Sequence, residues 1–135
     1  MVDLLHGQVV LYSYLWWREH LRGEETGRKA RPCCVMVVIS QRNGGRRAIL
    51  FPITSSPLGR DTTAVAVPDT EARRAKLYTP AWVVVEEFNS DDPENSLALD
   101  DAEPLGVFSR KFIGRIAAEA AKAARAKGIR AIPRG

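Results

Sequence analysis

Residues 27–54 read GRKARPCCVMVVISQRNGGRRAILFPIT, and the fold turns on how this stretch is parsed. CCVMVVISQ is a strand signal, since the run Cys33 to Ile39 carries no charge and is rich in β-branched side chains. RNGG is a hairpin turn, because Asn and Gly supply the positive φ that a tight reversal requires. RRAILFPIT, Arg46 to Thr54, is therefore the antiparallel partner. In such a pair the start of one strand and the end of the other lie at the same end of the sheet. Arg31, fixed by Pro32 at the mouth of the first strand, is thereby expected beside Thr54 and Ser55 at the close of the second. A guanidinium is costly to bury there unless an anion meets it. Together with two hydroxyls it makes a phosphate cradle of bidentate, charge-assisted bonds and adjustable donors. Arg28 and Lys29 add positive charge in the loop just ahead.

Working outward, Gln8 to Trp16 (QVVLYSYLW) is a first strand, rich in β-branched and aromatic residues. The charged stretch REHLRGEETGRKARP that follows is expected as a long loop, and loops of that length are often functional. TTAVAVP alternates as a fourth strand ended by Pro68, and DTEARRAKLY is one or two helical turns capped by Asp69 or Thr70. Pro80 to Phe88 (PAWVVVEEF) is a fifth strand, read as the most buried. The acidic stretch NSDDPENSLALDDAEPLG reads as loop, with room for a short strand near Leu97 to Leu99. Ser109 caps a helix closed by Gly128, with Phe112, Ile113, Ile116, Ala120 and Ala123 or Ala124 on one face. The tail IRAIPRG has room for a short edge strand. Five strands joined largely by hairpins, plus a terminal helix, predict a mostly β fold: a small antiparallel barrel or curled sheet with a C-terminal helix.

The composition of the 135 residues, 45% hydrophobic and 27% charged, suits one domain over 1–135. Its parts are a barrel at about 7–108, a helix at about 110–127 and a basic tail, 128–135. Asp3 and His6 interrupt the only apolar stretch near the start, so no secretory leader is expected. The run Cys33 to Ile39 falls far short of the ~20 residues of a membrane helix, so no membrane partner is expected either. Neighbouring Cys33 and Cys34 should point to opposite faces as buried thiols of a reducing, cytoplasmic protein. With His6 and His20 the only histidines, no metal site and no cofactor are expected. The charge of +4 is segregated. Residues 108–135 hold eight Lys/Arg against Glu119, and residues 86–103 hold eight Asp/Glu and no base. That pattern suits a basic face for a polyanion, or simply solvated faces. Trp16 and Trp17 are candidates for stacking on unpaired bases, or for core and interface packing.

The succession Gly7-Gln8-Val9, Arg31-Pro32, Ile53-Thr54-Ser55, Val84-Val85-Glu86-Glu87 and Gly106-Val107-Phe108-Ser109 resembles the MazF/PemK family of toxins from bacterial toxin–antitoxin pairs, over roughly residues 7–125. The resemblance implies an SH3-like barrel, a homodimer and a metal-independent endoribonuclease acting on single-stranded RNA. It also implies a cognate antitoxin, acidic and partly disordered. Arg31 and Thr54 then correspond to the family's catalytic pair, with Ser55, Arg28 and Lys29 around the phosphate. An arginine is not a base at ordinary pH, so Arg31 is expected to stabilise the pentavalent phosphorane as the 2′-hydroxyl attacks. Glu24 or Glu25 is the nearest carboxylate in sequence for a base. The chain departs from the family at Glu86-Glu87-Phe88-Asn89, where two carboxylates and an amide are expected to repel a phosphate backbone. The alternative is a non-enzymatic module on the same barrel: a degenerate member that binds nucleic acid or protein without cutting, or a gyrase-poisoning toxin.

Overall fold

The computed structural model describes residues 5–24, 29–39, 44–56 and 62–134. The chain is mostly β, with eight strands in one sheet and a long C-terminal helix. In chain order the elements are β1 (Gln8–Tyr12), α1 (Trp17–Leu21), β2 (Arg31–Ile39), β3 (Arg46–Thr54), β4 (Ala64–Ala66), α2 (Asp69–Arg74), β5 (Trp82–Val84), β6 (Glu87–Asp91), α3 (Leu97–Asp100), β7 (Glu103–Val107), α4 (Arg110–Lys127) and β8 (Arg130–Pro133). The strand order is β4-β5-β3-β2-β1-β7, with β6 beside β3 and β8 beside β6. Every pairing is antiparallel except β6–β8.

The central hairpin is as expected. Cys33 faces Pro52 and Ile39 faces Arg46, although Arg42 and Asn43 of its turn lie outside the described residues. Alternation along β2 sends Cys33 and Val35 into one hydrophobic cluster and Cys34 and Met36 into another. Burial raises both thiols, that of Cys34 to about 12, so neither is a ready nucleophile. The larger cluster gathers Phe51, Ile53, Val83 and Phe108 beneath α4, whose Phe112, Ile113, Ile116 and Ala123 are buried as the helical spacing predicts. The other holds Tyr12, Tyr14, Trp16, Leu50 and Leu99. Gly7, just before β1, sits at φ +87°, and a Cβ there would collide with Ile113, so glycine is what lets α4 close on the sheet.

Several expectations are corrected. The first strand ends at Tyr12, and the supposed loop begins with a helical turn, α1. The Glu19 carboxylate accepts the Trp16 N–H at 3.0 Å and Glu87 Oε1 accepts the Trp17 N–H at 3.0 Å, so side chains satisfy the first donors of this turn. The fifth strand is two strands, because β3 offers its free edge in two places. β5 takes Ile53 and Thr54, while β6 takes Ala48 to Leu50. The segment expected as a strand near Leu97 is α3, capped by Ser96, whose Oγ accepts the Leu99 N–H at 3.1 Å. The strand of that region is β7, further on, and it pairs with β1. Pro68, not Asp69 or Thr70, occupies the N-cap of α2. The tail strand β8 runs parallel to β6 and buries Ile132 completely. Among the described residues no helix is long and apolar enough to cross a membrane.

The acidic segment holds the largest surprise. Glu87, Asn89 and Asp91 alternate inward along β6 and are buried rather than facing a ligand. Asn89 accepts the Leu15 N–H at 2.9 Å and donates to the Leu15 carbonyl at 2.7 Å, standing in for a strand partner where β1 has ended. Asp91 accepts from the Tyr12 hydroxyl and from Ser96 Oγ. Arg134 donates to Asn89 Oδ1 and to the Ser13 carbonyl, tying the tail to the same network. Glu87 and Asn89, two of the residues expected to meet a phosphate backbone, thus turn their polar atoms into the fold, where protein groups satisfy them.

Candidate functional site

Arg31 opens β2 opposite Tyr12 of β1. The β2–β3 register, extended two residues past the Cys33–Pro52 pair, sets Arg31 across from Thr54. Arg31, Thr54 and Ser55 line one open cavity of about 250 Å³ with Pro32, Ile53, Leu77, Tyr78 and Ala81. Three of the residues selected from sequence are thus brought together at the sheet end that the hairpin geometry dictates. Thr54 is buried and held by its own turn: its hydroxyl donates to the Ser56 carbonyl at 2.9 Å and accepts the Ser56 N–H at 3.2 Å. Ser55 is exposed beside it.

A second cavity, of about 170 Å³, adjoins the first through Arg31. Its walls are Tyr14, Trp16, Arg18, Glu19, Lys29 and Arg31. The Arg31 guanidinium lies 4.8 Å from the centre of the Trp16 ring and that of Arg18 lies 5.1 Å from it. Such contacts, about 0.5–2 kcal/mol each, hold a guanidinium in place while leaving its N–H donors for an anion. Trp16 is itself only 4% exposed, packed edge-on against Tyr14 at 5.1 Å. Of the two readings of the tryptophans, Trp16 takes core packing: it supports the arginines and offers no open face to a base. Trp17 is half-buried against His20 at 5.5 Å.

Lys29 joins the site through this second cavity. Glu24 does not line either cavity; its carboxylate pairs with Arg22 at 3.3 Å. Glu25 and Arg28 lie outside the described residues. Among the described residues the carboxylate that shares a cavity with Arg31 is Glu19, which sequence reasoning missed because its segment reads as loop. A signal was there: Glu19 stands three residues after Trp16, the spacing at which a side chain reaches back to cap a helical turn. Tyr78 was likewise not singled out, since nothing local marks a tyrosine at a turn as part of a site. Among the described residues, no cluster of His, Cys, Asp and Glu is arranged to hold a metal ion.

Among the described residues the site therefore presents positive charge from Arg18, Lys29 and Arg31, hydroxyls from Thr54 and Ser55, and one carboxylate, Glu19. It can grip an anion on both sides of Arg31. A scan against protein-family models finds no match for the chain, and a comparison with curated proteins finds none either.

Proposed function

We propose that the chain is a metal-independent endoribonuclease of the MazF/PemK growth-inhibitor type, an SH3-like barrel acting as a cytoplasmic homodimer on single-stranded RNA. The observation that carries the reading is the convergence of Arg31, Thr54 and Ser55 on one open cavity. In this reading the 2′-hydroxyl attacks the adjacent phosphorus, its proton passes to a base, and the 5′-oxygen leaves with a proton. The products are a 2′,3′-cyclic phosphate and a 5′-hydroxyl end. Arg31 donates to the non-bridging oxygens as charge builds on the phosphorane, where preorganised donors matter most. The hydroxyls of Thr54 and Ser55 orient the phosphate, and Glu19 takes the place of Glu24 as the candidate base. The acidic, partly disordered antitoxin of such a pair would meet the same cations.

The test is cleavage of a single-stranded RNA by the purified protein in EDTA, wild type beside Arg31→Ala. Loss of one such donor is expected to slow cleavage on the order of 10²–10³-fold. A variant that cuts as fast as wild type removes Arg31 from the mechanism. The second reading, a module that binds nucleic acid without cutting, is favoured by one observation: no described carboxylate or imidazole lines the Arg31–Thr54 cavity itself. Intact RNA together with salt-sensitive binding selects it.

A further inference from the structure

Tyr78 is 96% exposed, yet it lines the same cavity as Arg31, Thr54 and Ser55. At that exposure the side chain buries almost no surface in the fold. Its neighbours are anchored: the Leu77 N–H donates to the Ala72 carbonyl at 2.8 Å, and Ala81 is buried with its carbonyl accepting the Val67 N–H. The backbone on either side of Tyr78 is thus held, while the ring stands in solvent at the rim of a cationic, hydroxyl-lined cavity.

Resting on the endoribonuclease reading, we infer that Tyr78 is the base-stacking platform of the site, taking the nucleobase next to the phosphate held by Arg31. A phosphate joined to a planar, weakly polar ring is the ligand chemistry that matches a guanidinium beside an exposed aromatic. Tyr14 and Trp16, the aromatics of the adjoining cavity, are closed to this role because both are buried, Trp16 against Arg18, Arg31 and Tyr14. Stacking reads any base by its face, so Tyr78 supplies affinity and register, with little choice among bases.

The probe is a fluorescein-labelled 2′-O-methyl RNA 10-mer, which keeps phosphates and bases but lacks the attacking hydroxyl, together with a series of the same strand carrying one abasic position. By anisotropy, Tyr78→Ala is expected to bind the intact strand about tenfold more weakly, and Tyr78→Phe to bind it as wild type does. Wild type is expected to lose affinity at one abasic position, and Tyr78→Ala to be indifferent there, because a base and its platform form one interacting pair. Equal affinities for wild type and Tyr78→Ala overturn the inference, as does failure of wild type to bind the strand. So does a Tyr78→Ala change confined to self-association in sedimentation, which would place the ring in a protein interface. Tyr78-dependent binding by a protein that leaves RNA uncut upholds the platform and removes the nuclease. Rapid cutting with no dependence on Tyr78 does the reverse.

Discussion

Arg31 and Glu87 show how position decides what a charged residue does. Arg31 stays half-exposed at the mouth of β2 with its guanidinium against Trp16, so its charge remains available to a ligand. Glu87 is buried, accepting from the Tyr14 hydroxyl and the Trp17 N–H, both at 3.0 Å. Burial raises its carboxyl above the ordinary range, against the lowering by those two hydrogen bonds. A carboxyl that holds its proton more tightly when folded stabilises the fold below its ordinary pKa and loses that contribution as pH rises through the raised value. Glu87→Gln keeps an oxygen acceptor and removes the charge. Urea unfolding of both proteins at pH 4 and pH 8 should show wild type losing stability relative to the variant at the higher pH. A difference that does not change with pH would mean Glu87 has the same proton affinity folded and unfolded.

Among the elements, α4 is the most legible, and its start rests on one serine. Ser109 Oγ accepts the Phe112 N–H at 3.2 Å and donates to Glu71 Oε2 at 2.7 Å, while Glu71 Oε1 accepts the Ser109 N–H at 2.8 Å. The cap thus starts α4 and ties it to α2. Ser109→Ala is expected to cost about 1–2 kcal/mol, read from denaturant midpoints at unchanged slope. A cost below a few tenths would show that Glu71 alone holds the junction. The strand elements were harder to delimit for a physical reason. PAWVVVEEF reads as one strand, but β3 bonds Trp82 and Val83 at Ile53–Thr54 and then Asn89 to Asp91, beyond that run, at Ala48–Leu50, and the local pattern does not announce that change of place.

For the molecule as a whole, charge decides where a polyanion can lie. The acidic segment is turned partly inward through Glu87 and Asp91, whereas Arg18, Lys29 and Arg31 meet around one cavity. If those three cations grip phosphates, affinity for single-stranded RNA falls with salt, and each lost contact lowers the log–log slope by about 0.7. Arg18→Ala and Lys29→Ala, titrated with a non-cleavable strand from low to moderate salt, should each show that reduction. Slopes equal to wild type would place the strand elsewhere, with the basic face of α4 next in line.

Local physics was enough for the central hairpin, for α4 with its Ser109 cap, for the opposed faces of Cys33 and Cys34, and for the meeting of Arg31 with Thr54 and Ser55. Each depends on neighbours in sequence or on one tight turn. Only the tertiary structure decided that Glu87, Asn89 and Asp91 point inward, that β8 returns beside β6, and that Glu19 and Tyr78 flank Arg31. Apart from Glu19, which lies on the helical turn α1, those contacts join residues about 40 to 80 positions apart, and burial can turn a charged residue from a surface feature into a structural one only after distant segments have packed around it.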